Sequence, residues 1–328
     1  MIISKTPYRV SFFGGGTDYP QWYLKEGGAV LSTTIDKYCY ITCRILPSFY
    51  EVKYRIVWAH IENVSSIAEI LHPAVREGLR YMNINSGLGI EIHHYGDMPS
   101  RAGMGSSSSF VVGLFKVLTA LKGQMIRKQE LAEMAIEFEQ SILKENVGSQ
   151  DQVATAYGGL NVIHFLKDGE IQVDPVIITP ERMLELESNL MLLYTGTRRL
   201  SSEIAGDFIG NLEKKETVLK KMYKMVDQAV SILAGQGSIN EFGALLNESW
   251  KLKRSISDKV SNVTVDRIYD TAIENGAIGG KLLGAGSSGF MLIFAPPEKQ
   301  QQIKDALPIY LYVPFKFDNT GSTIIYYE

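Results

Sequence analysis

The stretch from residue 88 to residue 121 constrains this chain most. LGIEIHHY (88–95) alternates apolar and polar side chains, the two-residue period of a half-buried strand. FVVGLFKVLTAL (110–121) is an apolar helix, and PSRAGMGSSSS (99–109) joins the two. A strand that enters a buried helix through a turn this rich in Gly and Ser needs unusual backbone conformations. Gly103 and Gly105 supply them and allow a ligand to approach the backbone closely. Ser106 to Ser109 can cap the helix, whose N–H groups and dipole then favour an anion such as phosphate. A plain Gly/Ser loop with an ordinary N-cap accounts for the stretch equally well. The stretch is not a GxxxxGK(S/T) phosphate loop, because the lysine is absent, nor a dinucleotide GxGxxG turn, because no third glycine follows at the required step.

Two further glycine clusters stand out. PYRVSFFGGGTDYP (7–20) ends a short apolar strand with Gly14 to Gly16 and follows them with Thr17, Asp18 and Tyr19. An Asp beyond such a turn accepts sugar hydroxyls and a Tyr packs on a sugar ring, although a hairpin turn with a surface Asp fits too. KLLGAGSSGF (281–290) places Gly284, Gly286 and Gly289 just ahead of the strand FMLIFAP.

Around these motifs the pattern reads as strands over most of the first 60 residues and a helix at 66–82. A second helix spans about 128–145, a strand follows at YGGLNVIHF and another at 189–194, and long helices cover about 202–234, 238–257 and 263–275. A short helix after Pro297 and two closing strands complete the chain. Strands and helices mix without strict alternation, so an α+β fold in two lobes is expected. Its domains are placed at 1–160 and 161–328, with the last strand free to return to the first lobe. A length of 328 residues suits two domains, and 33 basic against 36 acidic side chains exclude a broadly basic nucleic-acid binder. Cys39 and Cys43 lie on one face of a strand and read as buried free thiols. The N-terminus lacks a signal-peptide apolar region, and no apolar run reaches the roughly 20 residues of a membrane span, so a cytoplasmic location without a membrane partner is expected.

Taken in this order, the three motifs resemble those of the galactokinase, homoserine kinase, mevalonate kinase and phosphomevalonate kinase superfamily, the GHMP kinases. Pro99, Gly103, Met104, Gly105, Ser106, Ser107 and Ser108 fit the pattern P-x-x-x-G-(L/M)-G-S-S-(A/S). Lys281, Gly284, Ala285, Gly286, Ser288 and Gly289 fit K-x-x-G-A-G-x-(G/S)-G. The first motif is most similar to that of the D-glycero-D-manno-heptose 7-phosphate kinases. Galactokinases usually carry GEHTDY where this chain has Gly15-Gly16-Thr17-Asp18-Tyr19, which counts against galactose.

The resemblance implies a two-lobed GHMP-kinase fold, ATP and Mg2+ as cofactors, and a small-molecule sugar phosphate as partner. It implies phosphorylation of an anomeric hydroxyl to give a 1,7-bisphosphate that feeds GDP-heptose and surface polysaccharide, and it is compatible with a homodimer. It assigns Gly103 to Ser108, with Pro99, to the ATP phosphates together with Gly284, Ala285 and Gly286. Asp151 becomes the catalytic aspartate and Arg9 its partner. Gly16, Thr17, Asp18 and Tyr19 become sugar contacts. A loop serine, Ser106 or Ser107, and a glutamate of the next helix hold the metal. At about 100° per residue, Leu131, Ala135, Phe138 and Ile142 form the buried stripe and Glu139 lies on its flank, about 80° from Leu131, while Glu133 and Glu137 face solvent. Glu145, at about 320°, is the rival for the metal. A substrate phosphate needs further cations, for which Arg198, Arg199, Lys251, Lys253 and Arg254 are candidates, with Arg199 and Lys253 favoured. The five histidines form no nucleophile–base pattern. Alternatives are a fucose- or galactose-type 1-kinase, a heptose 1-kinase acting on the unphosphorylated sugar, and a non-catalytic sensor on the same fold. A decarboxylase on this fold leaves the sugar-type motif unexplained.

Overall fold

The structure is a computed structural model that describes residues 1–47, 49–84, 87, 89–100, 102–196 and 215–328. The first half contains β1 (Ile2–Phe13), α1 (Pro20–Glu26), β2 (Gly28–Leu46), β3 (Tyr54–Val57), β4 (Ile61–Val64), α2 (Pro73–Tyr81), β5 (Gly89–Gly96), α3 (Ser106–Leu121), α4 (Lys128–Glu137) and α5 (Gln150–Tyr157). The second contains β6 (Asn161–Phe165), β7 (Ile171–Pro175), α6 (Pro180–Ser188), β8 (Leu190–Tyr194), α7 (Glu216–Ala234), α8 (Asn240–Arg254), α9 (Val263–Glu274), β9 (Gly279–Leu282), β10 (Phe290–Phe294), α10 (Pro297–Ala306), β11 (Leu311–Tyr312), β12 (Phe317–Asp318) and β13 (Thr323–Tyr327). The expected α+β class is observed.

The long strand β2 organises a nine-stranded sheet of order β13-β1-β2-β5-β3-β4. Its first residues pair with β6 and its last with β5, while β1 runs antiparallel along its length. β6 and β7, beyond residue 160, therefore belong to this sheet, and β13 brings the chain's last strand back against β1. A second sheet has the order β11-β8-β10-β9. Its central strand explains the unbroken run FMLIF. Phe290, Leu292 and Phe294 face the main core, and Met291 and Ile293 face a second core with Val265, Ile268 and Ile303. A strand covered on both faces carries no polar alternation. Phe242 of α8 packs edge-on against Phe12 and Phe13 of β1, with centroids 5.4 and 5.1 Å apart, and so joins the two sheets.

α3 is apolar on all sides because it is buried on all sides, between the large sheet and helices α4 and α5. Gly113 lets it approach β1 closely: a Cβ there would lie 3.0 Å from Thr6 Oγ1. Cys39 and Cys43 are buried and free.

The structure departs from the expected pattern in several places. The helix expected over 66–82 begins only at Pro73, after a 3-10 turn at Ile67–Glu69. Pro73 disfavours helical backbone at His72, and the Glu62 carboxylate takes the N–H groups of Leu71 and His72 instead. α1 interrupts the run of strands, with Pro20 at its first turn and Trp22 and Tyr23 buried. α4 passes into a π-helical turn at Phe138–Ile142, where Leu143 N donates to Phe138 O at 2.9 Å. The extra residue in this turn rotates the end of the helix, and Ile142, expected in the buried stripe, is 41% exposed. β7 and α6 have no counterpart in the expected pattern. The expected helical residues 202–214 lie outside the described residues. Among the described residues no helix is long and apolar enough to cross a membrane.

The junction of the two sheets beneath the second and third glycine-rich motifs is tight. Gly284 has φ +75°, and a Cβ on it would lie 2.5 Å from Gly103 Cα. Gly284→Ala should lower the unfolding free energy by about 2–4 kcal/mol, the sum of left-handed backbone strain and overpacking, as measured by urea denaturation.

Candidate active site

Arg9 is a buried residue of β1, paired with Thr34 of β2, and α5 presents Asp151 in its first turn. The two form a bidentate pair, Nε to Oδ1 at 2.6 Å and Nη2 to Oδ2 at 2.7 Å. Arg9 Nη1 donates to Gly103 O at 2.7 Å, and its backbone N–H donates to Met104 O at 3.2 Å. The loop over 99–109 is thereby tied to the ion pair beneath it. Gly105 crosses directly over the pair with φ +72°, where a Cβ would sit 3.2 Å from Arg9 Cγ and 3.3 Å from Asp151 Oδ2. α3 begins at the next residue, so the first-turn N–H groups of Ser106 to Ser108 open into the space above Arg9 and Asp151.

Behind the loop, Glu139 is fully buried. It accepts hydrogen bonds from Ser107 Oγ at 3.0 Å, Ser108 Oγ at 2.7 Å and Gln152 Nε2 at 2.5 Å. Burial pushes its carboxyl up to about 7, against the effect of these donors. The helix-flank position expected for Glu139 is corrected to one beneath the loop, where Gln152 of α5 covers it. Ser106 lies on the cleft wall.

Asp18 lines the same cleft close to Asp151. Its Oδ1 accepts from Gly16 N at 2.8 Å and its Oδ2 from Gln150 Nε2 at 2.9 Å. Burial raises its pKa, and the nearby Asp151 adds to the effect. Gly148 makes room for this carboxylate, since a Cβ there would lie 1.9 Å from Asp18 Oδ2. Tyr19 lies beside it on the cleft wall. Two buried lysines enter from the second sheet and α8. Lys253 Nζ donates to Gly284 O at 2.5 Å, and Lys281 Nζ donates to Phe12 O at 2.8 Å, just ahead of Gly14.

One cleft brings together Arg9, Gly16, Asp18, Tyr19, Gly103, Gly105 and Ser106 to Ser108 with Asp151, Lys253, Gly284 and Ala285. Other expected residues serve behind it. Thr17 is buried, with its hydroxyl donating to Gly14 O and Ala29 O, so it shapes the turn instead of facing a sugar. Met104 is fully buried, Pro99 stands outside the lining, and Gly286 packs on Val260. Arg254 is spent on Asp266, at 3.1 Å. Arg198 and Arg199 lie outside the described residues. The cleft also gathers Ser11, Gln150, Lys281 and the segment Glu145 to Gly148. Three of these carry a signal in the sequence: Lys281 opens the third motif, Gln150 adjoins Asp151, and Glu145 is the rival acid for the metal.

The N-terminal domain of GHMP kinases matches residues 67–159 and the C-terminal domain matches residues 228–313. The chain is 30% identical, over 93% of both chains, to D-glycero-alpha-D-manno-heptose 7-phosphate kinase of Campylobacter jejuni. It belongs to the GHMP kinase family. This GHMP kinase is also similar to the galactokinase of Pyrococcus furiosus, with 24% identity over 93% of this chain and 92% of that one. Its fold matches the crystal structure of a D-glycero-D-manno-heptose 1-phosphate kinase from Bacteroides thetaiotaomicron, with a TM-score of 0.82, 23% identity and full coverage of both chains.

Burial pushes the Lys253 amine down to about 8, with the Arg9 charge adding to the effect. The Lys253 ammonium is therefore present below that pH and lost above it. Affinity for a sugar phosphate should fall by up to about tenfold per pH unit above about 8, and Lys253→Met should abolish this slope, as measured by calorimetric titration.

Proposed function

We propose that this GHMP kinase transfers the γ-phosphoryl group of ATP to the anomeric hydroxyl of a sugar that already bears a phosphate. D-glycero-D-manno-heptose 7-phosphate is the favoured substrate and the 1,7-bisphosphate the product. The observation that carries this reading is the Arg9–Asp151 pair, held under the N-terminus of α3 and sharing one cleft with Asp18. Full-length similarity to the heptose 7-phosphate kinase of Campylobacter jejuni supports the choice of sugar.

Phosphoryl transfer needs positioning and charge stabilisation more than covalent chemistry. Asp151 accepts the proton of the attacking hydroxyl, and Arg9 orients Asp151 and stabilises charge on the transferring group. The first turn of α3 and the Gly284–Ala285 backbone cradle the ATP phosphates. Asp18 and Tyr19 hold the sugar. Lys253, with Lys281 beside it in the same cleft, supplies the charge for the substrate's own phosphate.

Ser106 or Ser107, together with Glu139, would hold Mg2+. An all-oxygen set with one carboxylate suits this hard cation, which keeps most of its ligands as water and phosphate oxygen. When bound, Mg2+ neutralises phosphate charge.

Coupled ADP release with Mg-ATP over sugars and sugar phosphates tests the reading. Heptose 7-phosphate should be turned over faster than heptose, and a lack of ADP release with any sugar would overturn the proposal. Asp151→Asn should keep ATP affinity within about threefold and lose roughly 100-fold or more in turnover, the usual contribution of a general base. Fluorescent-nucleotide binding and the same ADP assay separate the two quantities.

A further inference from the structure

Two buried polar atoms of the cleft have no hydrogen-bond partner among the described residues: Ser11 Oγ and Gln150 Oε1. Both residues line the cleft, and Ser11 is only 5% exposed. The two-residue period of β1 puts Ser11 on the face that carries Arg9, and Gln150 immediately precedes Asp151 on α5. Each orphan thus stands one step from a member of the Arg9–Asp151 pair. Buried polar groups nearly always find partners in folded proteins, so two exceptions in one cleft require a reason.

The orientation of the Gln150 amide is set by its neighbour. Its Nε2 donates to Asp18 Oδ2, so the other end of the amide is the acceptor Oε1. Gly15 lies between the two side chains. A Cβ built there would be 3.7 Å from Ser11 Oγ and 3.8 Å from Gln150 Nε2, so both border one small space that the glycine keeps open.

The chemistry of the two atoms selects what enters that space. Gln150 Oε1 can only accept, and a phosphate dianion offers it no hydrogen. Ser11 Oγ can donate or accept. A hydroxyl satisfies both. We propose that Ser11 and Gln150 bind a substrate hydroxyl next to the one that receives the phosphoryl group, and so determine which sugars this kinase accepts. The proposal rests on the sugar-kinase reading and adds two specificity-determining residues to it. A site built to hydrogen-bond a hydroxyl rejects analogues that lack it, because its buried polar groups are then left unpaired.

Kinetics of wild type, Ser11→Ala, Gln150→Met and Gly15→Ala with heptose 7-phosphate and its monodeoxy analogues test this, alongside thermal melts of the ligand-free proteins. Ser11→Ala deletes a hydroxyl that has no partner among the described residues, so its melting temperature should not fall. Its KM for the sugar should rise about tenfold while its KM for ATP stays unchanged. Wild type should lose roughly 100-fold in kcat/KM against one deoxy analogue, and Ser11→Ala and Gln150→Met should lose far less against that same analogue. Gly15→Ala should fold and should raise the KM for the sugar. The proposal is overturned if Ser11→Ala melts lower with unchanged kinetics, or if the variants lose the same factor against the parent sugar and every analogue. A wild-type protein that neither binds nor phosphorylates any sugar overturns the sugar-kinase reading and this proposal with it; an active wild type with indifferent variants overturns this proposal alone. Should Gln150→Met fail to fold, Ser11→Ala decides the matter.

Discussion

The Arg9–Asp151 ion pair is the interaction on which the site depends. Arg9 is a strand residue whose side chain is only 4% exposed, and its charge is compensated on three sides, by both Asp151 oxygens and by Gly103 O. Breaking such a pair strands the remaining charge in a poorly solvated place and costs about 3–5 kcal/mol, more than most single contacts contribute. Through this one guanidinium, β1, the phosphate loop and α5 take a fixed relation to each other. None of the three could reach the others by sequence neighbourhood.

The glycines make that arrangement possible. Gly105 clears the ion pair, Gly148 clears Asp18, and Gly103 and Gly284 press the phosphate loop against the second sheet. At these places the backbone itself is the packing surface, and a methyl group would meet main-chain or charged atoms. Phe242, wedged against Phe12 and Phe13, and Lys281, bonded to Phe12 O, join the second sheet to β1 at the same level. The apolar and the polar tie both hold the strand end from which the Gly14–Gly16 turn departs.

Much of this is legible in the chain. The alternating strand before residue 99, the apolar helix after 109 and the unbroken FMLIF run each have one physical interpretation, and the structure agrees with it. Arg9, Asp18 and Asp151 stand out because short motifs surround them. The hidden part depends on contacts between distant segments. Thr17 belongs to the same triplet as Asp18, yet its hydroxyl is spent on Ala29 O of the next strand. Lys281 matches its motif, but its reach to Phe12 spans 269 positions. Ideal helix geometry puts Glu139 on a flank, whereas a π turn and the covering Gln152 put it beneath two loop serines. α1 shows the opposite failure, since Pro20 after Tyr19 is a local helix start that the surrounding strands obscure.

The charges in the cleft suit a kinase: the Asp18 and Asp151 carboxylates and the Arg9, Lys253 and Lys281 cations line it, and Glu139 lies beneath the loop. If Arg9 acts by holding Asp151 and stabilising the same charge that Asp151 helps create, the two residues work as a unit. A double-mutant cycle on single-turnover phosphoryl transfer, with Arg9→Met, Asp151→Asn and both together, tests this most directly. The double variant should lose about as much rate as Asp151→Asn alone. Losses that multiply would contradict the account, because they would mean that the two residues act independently.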